Sequence, residues 1–226
     1  MALVEESEAS DTSAALTRLP VRSEGRYERL VKPVMDRVLA VGLLFALAPV
    51  LALVALGVLL TMGRPVLFRQ ERLGKGAVPF EMLKFRSMLP DRRMAQVPFE
   101  GPDRRTTHKT DADPRHTRFG RFLRRTSLDE LPQLVNVIRG EMSLVGPRPE
   151  LPGVAARHEL THHVRHTVKP GITGPWQISP NRTEFIHEHV ELDEAYVQSV
   201  TLGGDLAILG GTVRSVAGRP LRSAKA

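Results

Sequence analysis

Cysteine is absent from all 226 residues, which removes disulfides, thiolate nucleophiles and cysteine-ligated zinc, and fits a reducing compartment. Aromatic residues are scarce at 5%, so no base-stacking platform is visible although the chain carries a formal charge of +7. Nucleic acid is therefore not the expected partner. Charge of either sign is missing from Val38 to Gly63, 26 consecutive positions built mostly from Leu, Val, Ala and Gly. An uncharged run longer than about 18 residues points to a membrane segment, and without a polar face it does not suit a core helix of a soluble protein.

Pro49 sits near the middle of that run and decides its character. A proline inside a helix has no N–H for the carbonyl four residues back, here Phe45, and its ring clashes there. Two readings follow. A kinked helix of this length reaches roughly 39 Å and would cross a bilayer. Alternatively the chain breaks at Ala48-Pro49 and returns to the side it entered from, with arms Val38–Ala48 and Pro49–Met62. Arg26, Arg29, Lys32 and Arg37 precede the run, and Arg64, Arg69, Arg72 and Lys75 follow it. Basic residues mark the cytoplasmic side. Both flanks are basic, which favours the re-entrant hairpin.

What is present around the run is polar and unevenly charged. Residues 1–25 hold five acids and two bases. They lack a basic start followed by an apolar core, so they read as a mobile acidic tail and not as a signal peptide. Residues 26–63 form a basic lead-in plus the membrane element, 64–216 a single further domain, and 217–226 a basic tail. Asp36-Arg37 opens the apolar run, where an ionisable pair is expected to be mutual or bound to headgroups. A basic body beside a membrane segment suits anionic headgroups and phosphorylated substrates.

Within the domain, Val66–Gln70 reads as a short strand, Gly74–Gly76 as a turn, and Phe80–Met88 as the return strand. Alternation places Met82, Lys84 and Arg86 on one face, two cations able to grip a phosphate or to face solvent. Residues 90–114 are polar and charge-dense, either a lid or a tether. Arg118 to Leu134 then carries Arg121, Arg124 and Arg125 upstream of Asp129 and Glu130. Thr126 or Ser127 is the expected N-cap of a helix with Pro132 in its first turn. The two acids are dipole-complementing caps on one reading. On the other they are an ionised nucleophile or magnesium ligands beside a phosphate-attracting surface. Pro147 and Pro149 stiffen the backbone on either side of Arg148. Glu184–Val200 and Leu206–Val213 read as amphipathic helices, the second lying on the membrane plane.

These blocks, taken in order, resemble the bacterial sugar transferase family, the monotopic polyprenyl-phosphate phosphoglycosyl transferases. The likeness rests on Lys32-Pro33-Val34-Met35-Asp36-Arg37, on Pro65 to Gly74, and on Lys84-Phe85-Arg86-Ser87-Met88. It continues through Thr126 to Leu134, Gly146-Pro147-Arg148-Pro149, and Val168-Lys169-Pro170-Gly171-Ile172-Thr173-Gly174. The resemblance implies an α+β protein: a re-entrant membrane helix, then a small cytoplasmic catalytic domain of short strands and interfacial helices at the bacterial inner membrane. It implies transfer of a sugar 1-phosphate from a UDP-sugar to polyprenyl (undecaprenyl) phosphate with release of UMP, the first step of polysaccharide or glycoconjugate assembly. It further implies that Asp129 forms a covalent phosphosugar intermediate, that Glu130 assists it in holding Mg2+, and that Lys84, Arg124 and Arg148 bind phosphate or nucleotide. Arg86 joins that set on strand alternation alone. Where the family usually has Ser-Pro at the membrane break, this chain has Ala48-Pro49.

Two other classes stand beside this one. His158-Glu159-Leu160-Thr161-His162 fits the H-E-x-x-H zinc protease pattern, which needs both histidines on one helix face. The neighbouring His163 and His166 make a histidine-rich surface helix the plainer reading. A basic membrane-anchored scaffold is the other alternative, and it would not depend on Asp129.

Overall fold

The computed structural model describes residues 22–89, 115, 117–180 and 189–218. The acidic segment up to residue 21, the stretch 90–114 expected as lid or tether, the start of the helix expected from Glu184, and the basic tail from 219 lie outside them. The fold is α+β, with two short two-stranded sheets among helices.

A π-helical turn, Tyr27–Val31, leads into α1 (Lys32–Ala46), and α2 (Ala48–Met62) follows after one residue. The two helices are bent by 66° at that break. The break falls at Leu47 (φ −94°, ψ 3°), one residue before the expected Ala48-Pro49. Pro49 occupies the first turn of α2, where its missing N–H is an unused donor anyway, so the helix that ends is the one before it. Among the described residues no single helix is long and apolar enough to cross a membrane, while this bent pair passes by length and composition.

β1 (Leu67–Leu73) and β2 (Pro79–Phe85) pair antiparallel, Leu67 opposite Phe85 and Leu73 opposite Pro79. The strand ends at Phe85, so the alternation expected through Met88 stops short of Arg86. α3 (Arg118–Thr126) begins at Thr117, whose Oγ1 accepts the Gly120 amide at 2.9 Å. A Cβ on Gly120 would come within 2.0 Å of the Ser87 carbonyl oxygen, so only glycine lets α3 lie this close to the chain leaving β2. α4 (Gln133–Arg139), β3 (Ser143–Val145) and α5 (Pro152–Arg157) follow. β4 (Gly171–Thr173) pairs parallel with β3. α6 (Pro175–Ile178), α7 (Val190–Gln198) and α8 (Leu202–Ala217) complete the order.

The main core gathers Ala40 of α1, Met82 of β2, Leu134 and Val137 of α4, Leu144 and Val145 of β3, and Tyr196 and Val197 of α7. A second cluster joins Val54, Val58 and Met62 of α2 to Phe85 and Leu123. Thus α1 is seated in the core along the face carrying Ala40 and Leu44, and α2 rests on the domain along the face of Val54, Val58 and Met62. Between those contacts the pair presents Phe45, Leu53 and Leu60, which are 69–78% exposed.

Buried polar pairs fasten the entry to this element. Lys32 donates to Asp205 of α8 at 2.5 Å and lies 3.7 Å from Asp36. Asp205 also accepts from the hydroxyls of Tyr27 (2.7 Å) and Tyr196 (2.9 Å), and Asp36 accepts from Ser143 Oγ at 2.6 Å. Asp36 therefore pairs with Lys32 and Ser143, not with its neighbour Arg37. The reason is position: Asp36 faces the core side of α1, where its burial demands partners. Arg22 pairs with Glu28 and Lys75 with Glu24, so the expected acidic tail is already tied down by residues 22–24.

Candidate active site

Asp129 and Glu130 sit on a one-turn 3-10 helix, Leu128–Glu130, between α3 and α4. Ser127 stands at the N-cap of this turn, as expected, but its side chain makes no cap hydrogen bond and the turn does not run on into one long helix. Thr126 closes α3 by donating its hydroxyl to the Phe122 carbonyl at 2.9 Å, and Ser127 takes the left-handed conformation (φ 58°) that ends that helix. Pro132 then caps α4 without being inside it. The acids consequently occupy a tight corner whose direction is set by two helix ends, not the first turn of one long helix.

β2 brings Lys84 to this corner, and its Nζ donates to Glu130 Oε1 at 2.8 Å. Arg148 Nη1 approaches the same oxygen at 3.7 Å. Burial pulls the Lys84 ammonium below its usual range, and the charge of Arg148 adds to this while Glu130 opposes it. Asp129 is nearly buried. Burial first, then the adjacent Glu130 charge, raise its carboxyl from 3.8 to about 6, against the pull of Lys84 and Arg124. Glu130 thus holds the cations, and among the described residues Asp129 makes no ion pair of its own. An under-neutralised carboxylate beside a second one suits a hard divalent cation, and Mg2+ is ordinarily held by one or two carboxylates plus substrate phosphates. The donor set fits that metal. It does not fit zinc, since no three His, Asp or Glu residues converge among the described residues.

The Arg148 loop is held by its own backbone. The Pro147 carbonyl accepts the Gly171 amide (2.9 Å), Arg148 accepts from Arg165 Nη2 (2.8 Å), Pro149 from Arg72 Nη1 (3.2 Å), and Glu150 from the Leu73 amide (2.9 Å). Arg165 is itself buried against Asp193 at 2.9 Å. The Arg148 guanidinium lies 5.7 Å from the centre of the Trp176 ring, a cation–π contact that orients it toward the acids. Asn136 is another residue the sequence did not single out. Fully buried on α4, it accepts the Leu83 amide at 3.0 Å and donates to the Glu81 carbonyl at 2.7 Å. It thereby fixes β2, and Lys84 with it, against the helix that follows the acids. An asparagine in an apolar stretch was its only sequence signal.

Of the remaining candidates, Arg124 lies in the last turn of α3, its charge felt at Asp129, with Nη1 3.6 Å from Met88 Sδ. Arg86 is not in the site. Its guanidinium is buried and donates to the carbonyls of Met62, Gly63 (2.5 Å) and Arg64 (3.1 Å), capping the open end of α2. Arg86→Gln is expected to destabilise the fold by about 2 kcal/mol, as for lost bonds to a charged group, with donor KM unchanged. Denaturant unfolding beside steady-state kinetics checks this, and a raised KM at unaltered stability would reverse the assignment. The zinc protease pattern also dissolves: α5 stops at Arg157 and Glu159 takes φ 56°, so His158 and His162 do not share a helix face. The expected histidine-rich surface helix is reduced to a 3-10 turn, Val164–Thr167, capped by His163 and with His166 buried.

The model of the family described as Bacterial sugar transferase matches residues 27–219. The chain belongs to the bacterial sugar transferase family. Among relatives, it is 43% identical over 211 residues to an undecaprenyl-phosphate glucose phosphotransferase of Komagataeibacter xylinus, covering 88% of this chain and 38% of that protein. It is 40% identical over 195 residues to the UDP-glucose:undecaprenyl-phosphate glucose-1-phosphate transferase of Escherichia coli K12, covering 82% and 40%. A shorter relative, the exopolysaccharide production protein ExoY of Sinorhizobium fredii, is 38% identical over 187 residues, covering 80% and 83%. The chain thus spans about two fifths of the length of the first two sugar transferases.

Proposed function

We propose that this chain transfers a sugar 1-phosphate from a UDP-sugar to undecaprenyl phosphate at the cytoplasmic face of the bacterial inner membrane, with Asp129 as nucleophile. The observation that carries this reading is the division of labour at the acidic corner. Glu130 is engaged by Lys84 and Arg148, while Asp129 is buried beside them with no ion pair of its own among the described residues. An ionised Asp129 oxygen attacks the phosphorus bearing the sugar. The bond to the bridging oxygen breaks, and UMP leaves with that electron pair. A phosphate oxygen of the lipid then attacks the same phosphorus, freeing the Asp129 carboxylate and yielding undecaprenyl diphosphate sugar. Splitting the reaction this way keeps two phosphate-bearing substrates from having to share the site. Lys84 and Arg148 bind and orient the donor's diphosphate and offset charge as it develops. Mg2+ held by Asp129 and Glu130 would supply further charge neutralisation on the phosphoryl oxygens. The relatives' names support the UDP-sugar and undecaprenyl phosphate. Purified protein should release UMP from a UDP-sugar only when undecaprenyl phosphate and Mg2+ are both supplied for turnover. Silence across a panel of UDP-sugars would end this reading.

The same proposal has α1 and α2 entering one leaflet and returning. Both ends of the bent pair are fastened to one polar body, the first through Lys32 and Asp36, the second through Arg86. A crossing would place these ends on opposite sides. Single cysteines at Arg26 and Lys75 in intact cells should both be shielded from an external thiol reagent, and labelling of only one would mean a span.

A further inference from the structure

A second anion-attracting centre lies away from the acids, at the other end of α4. The helix is seven residues long, so about 10 Å of it intervenes. There the entry to α1, the end of α4 and the loop before β4 enclose a cavity of about 160 Å³, room for a tetrahedral oxyanion with a few waters. Its acids are already engaged: Glu24 with Lys75, Glu28 with Arg22, and Asp36 with Lys32 and Ser143. Three of its cations are not. The side chains of Arg29, Arg37 and Lys169 make no hydrogen bond or ion pair among the described residues, and the last two converge. A Cβ on Gly140 would lie 2.7 Å from Arg37 Nη2 and 3.6 Å from Lys169 Nζ, so the two nitrogens are no farther apart than those distances combined. That spacing lets one anion accept from both.

A half-buried ammonium is not placed beside a guanidinium without cost; here Lys169 is half-buried and Arg37 exposed. Burial depresses the Lys169 ammonium, and the charges of Arg37 and Lys75 push it the same way. The nearby end of α4 attracts cations and offsets part of this, but neither side chain bonds to its carbonyls, so both remain available. Arg37 also immediately precedes the uncharged run that begins at Val38. The cavity is therefore at the depth where an apolar element meets headgroups.

We propose that Arg37 and Lys169 form a phosphoryl-binding site separate from the acidic corner, and that its occupant is the phosphodiester headgroup of an anionic phospholipid. The site fixes the register of α1 against the membrane surface and takes no part in the chemistry. It does not rest on the nucleophile assignment, and Asp129→Asn should leave it intact.

The test uses the full chain in mixed micelles, with phosphatidylglycerol or zwitterionic phosphatidylcholine counted by native mass spectrometry. Inorganic phosphate is titrated calorimetrically in a second arm. Wild type should retain phosphatidylglycerol over phosphatidylcholine. Arg37→Gln with Lys169→Gln should lose that retention by about tenfold or more, the scale of two charge-assisted bonds, while Arg37→Lys with Lys169→Arg keeps it. Should the neutral double variant unfold, Lys169→Gln alone decides between the same outcomes. If lipid retention is indifferent to these changes but inorganic phosphate binding depends on them, the lipid assignment is overturned in favour of a soluble phosphate. If both probes bind the variants as they bind wild type, the site does not exist.

Discussion

Replacing Asp129 with asparagine is expected to cut turnover by about 10,000-fold or more, the scale seen when a covalent nucleophile is removed, and to make the metal-free protein more stable at neutral pH. The two effects have one cause. Folding raises this carboxyl from 3.8 to about 6, because burial and the Glu130 charge oppose its ionisation. Between those values the native state keeps a proton that the unfolded chain has released. Its contribution to stability is therefore whole below pH 3.8, declines as pH rises through the window, and has become a constant penalty above about 6. Asparagine has no charge to desolvate, so the variant should gain on the order of 2 kcal/mol in chelator at about pH 7.5 and nothing at about pH 3.5. Thermal melts across that range, beside UMP release, measure both. Undiminished turnover in the variant removes Asp129 from the chemistry. Equal stability at both pH values would mean its burial is not what sets its character.

The second large effect is expected far from the acids. Asp205→Ala should destabilise the protein by about 3 kcal/mol or more, since it strips a buried ammonium of its nearest counter-charge. Lys32 would keep only the 3.7 Å contact to Asp36, and the hydroxyls of Tyr27 and Tyr196 would lose their shared acceptor. Because Lys32 opens α1, loss of this anchor should also loosen the bent helix pair from the domain. Specific activity of the folded fraction should then fall although no substrate contact has changed. Lys32→Met combined with Asp36→Asn and Asp205→Leu should recover most of the stability, because none of the three groups is then left charged and alone. A triple variant no better than Asp205→Ala would show that the tyrosine hydroxyls, not the ion pairs, hold this junction.

Local chemistry is legible in the sequence where it depends on neighbours in the chain. The uncharged run, its break beside Pro49, the β-hairpin at Gly74, and the stiff loop around Arg148 all follow from residue types a few positions apart. Lys84, the Asp129-Glu130 pair and Arg148 belong to three separate motifs of the family resemblance, and the fold brings them to one corner. Local rules fail where a competing partner intervenes. Strand alternation assigns Arg86 to Lys84's face, but β2 stops at Phe85 and the unpaired carbonyls ending α2 claim the guanidinium. Residue type makes Ser127 the N-cap of a long helix, but two helices meet there, and it ends the first while opening only a single 3-10 turn, without a side-chain cap bond. Contacts such as Lys32 with Asp205, or Asn136 with the β2 backbone, leave no local trace, because each partner looks ordinary in its own segment.

The four successive carbonyls of residues 147–150 have one more implication. Each is held by a different donor, from β1, from β4 or from Arg165, so the turn carrying Arg148 keeps no slack for a nucleotide to remove. Donor capture here should resemble a key entering a finished lock: a small heat-capacity change, and an association rate governed by arrival and not by rearrangement.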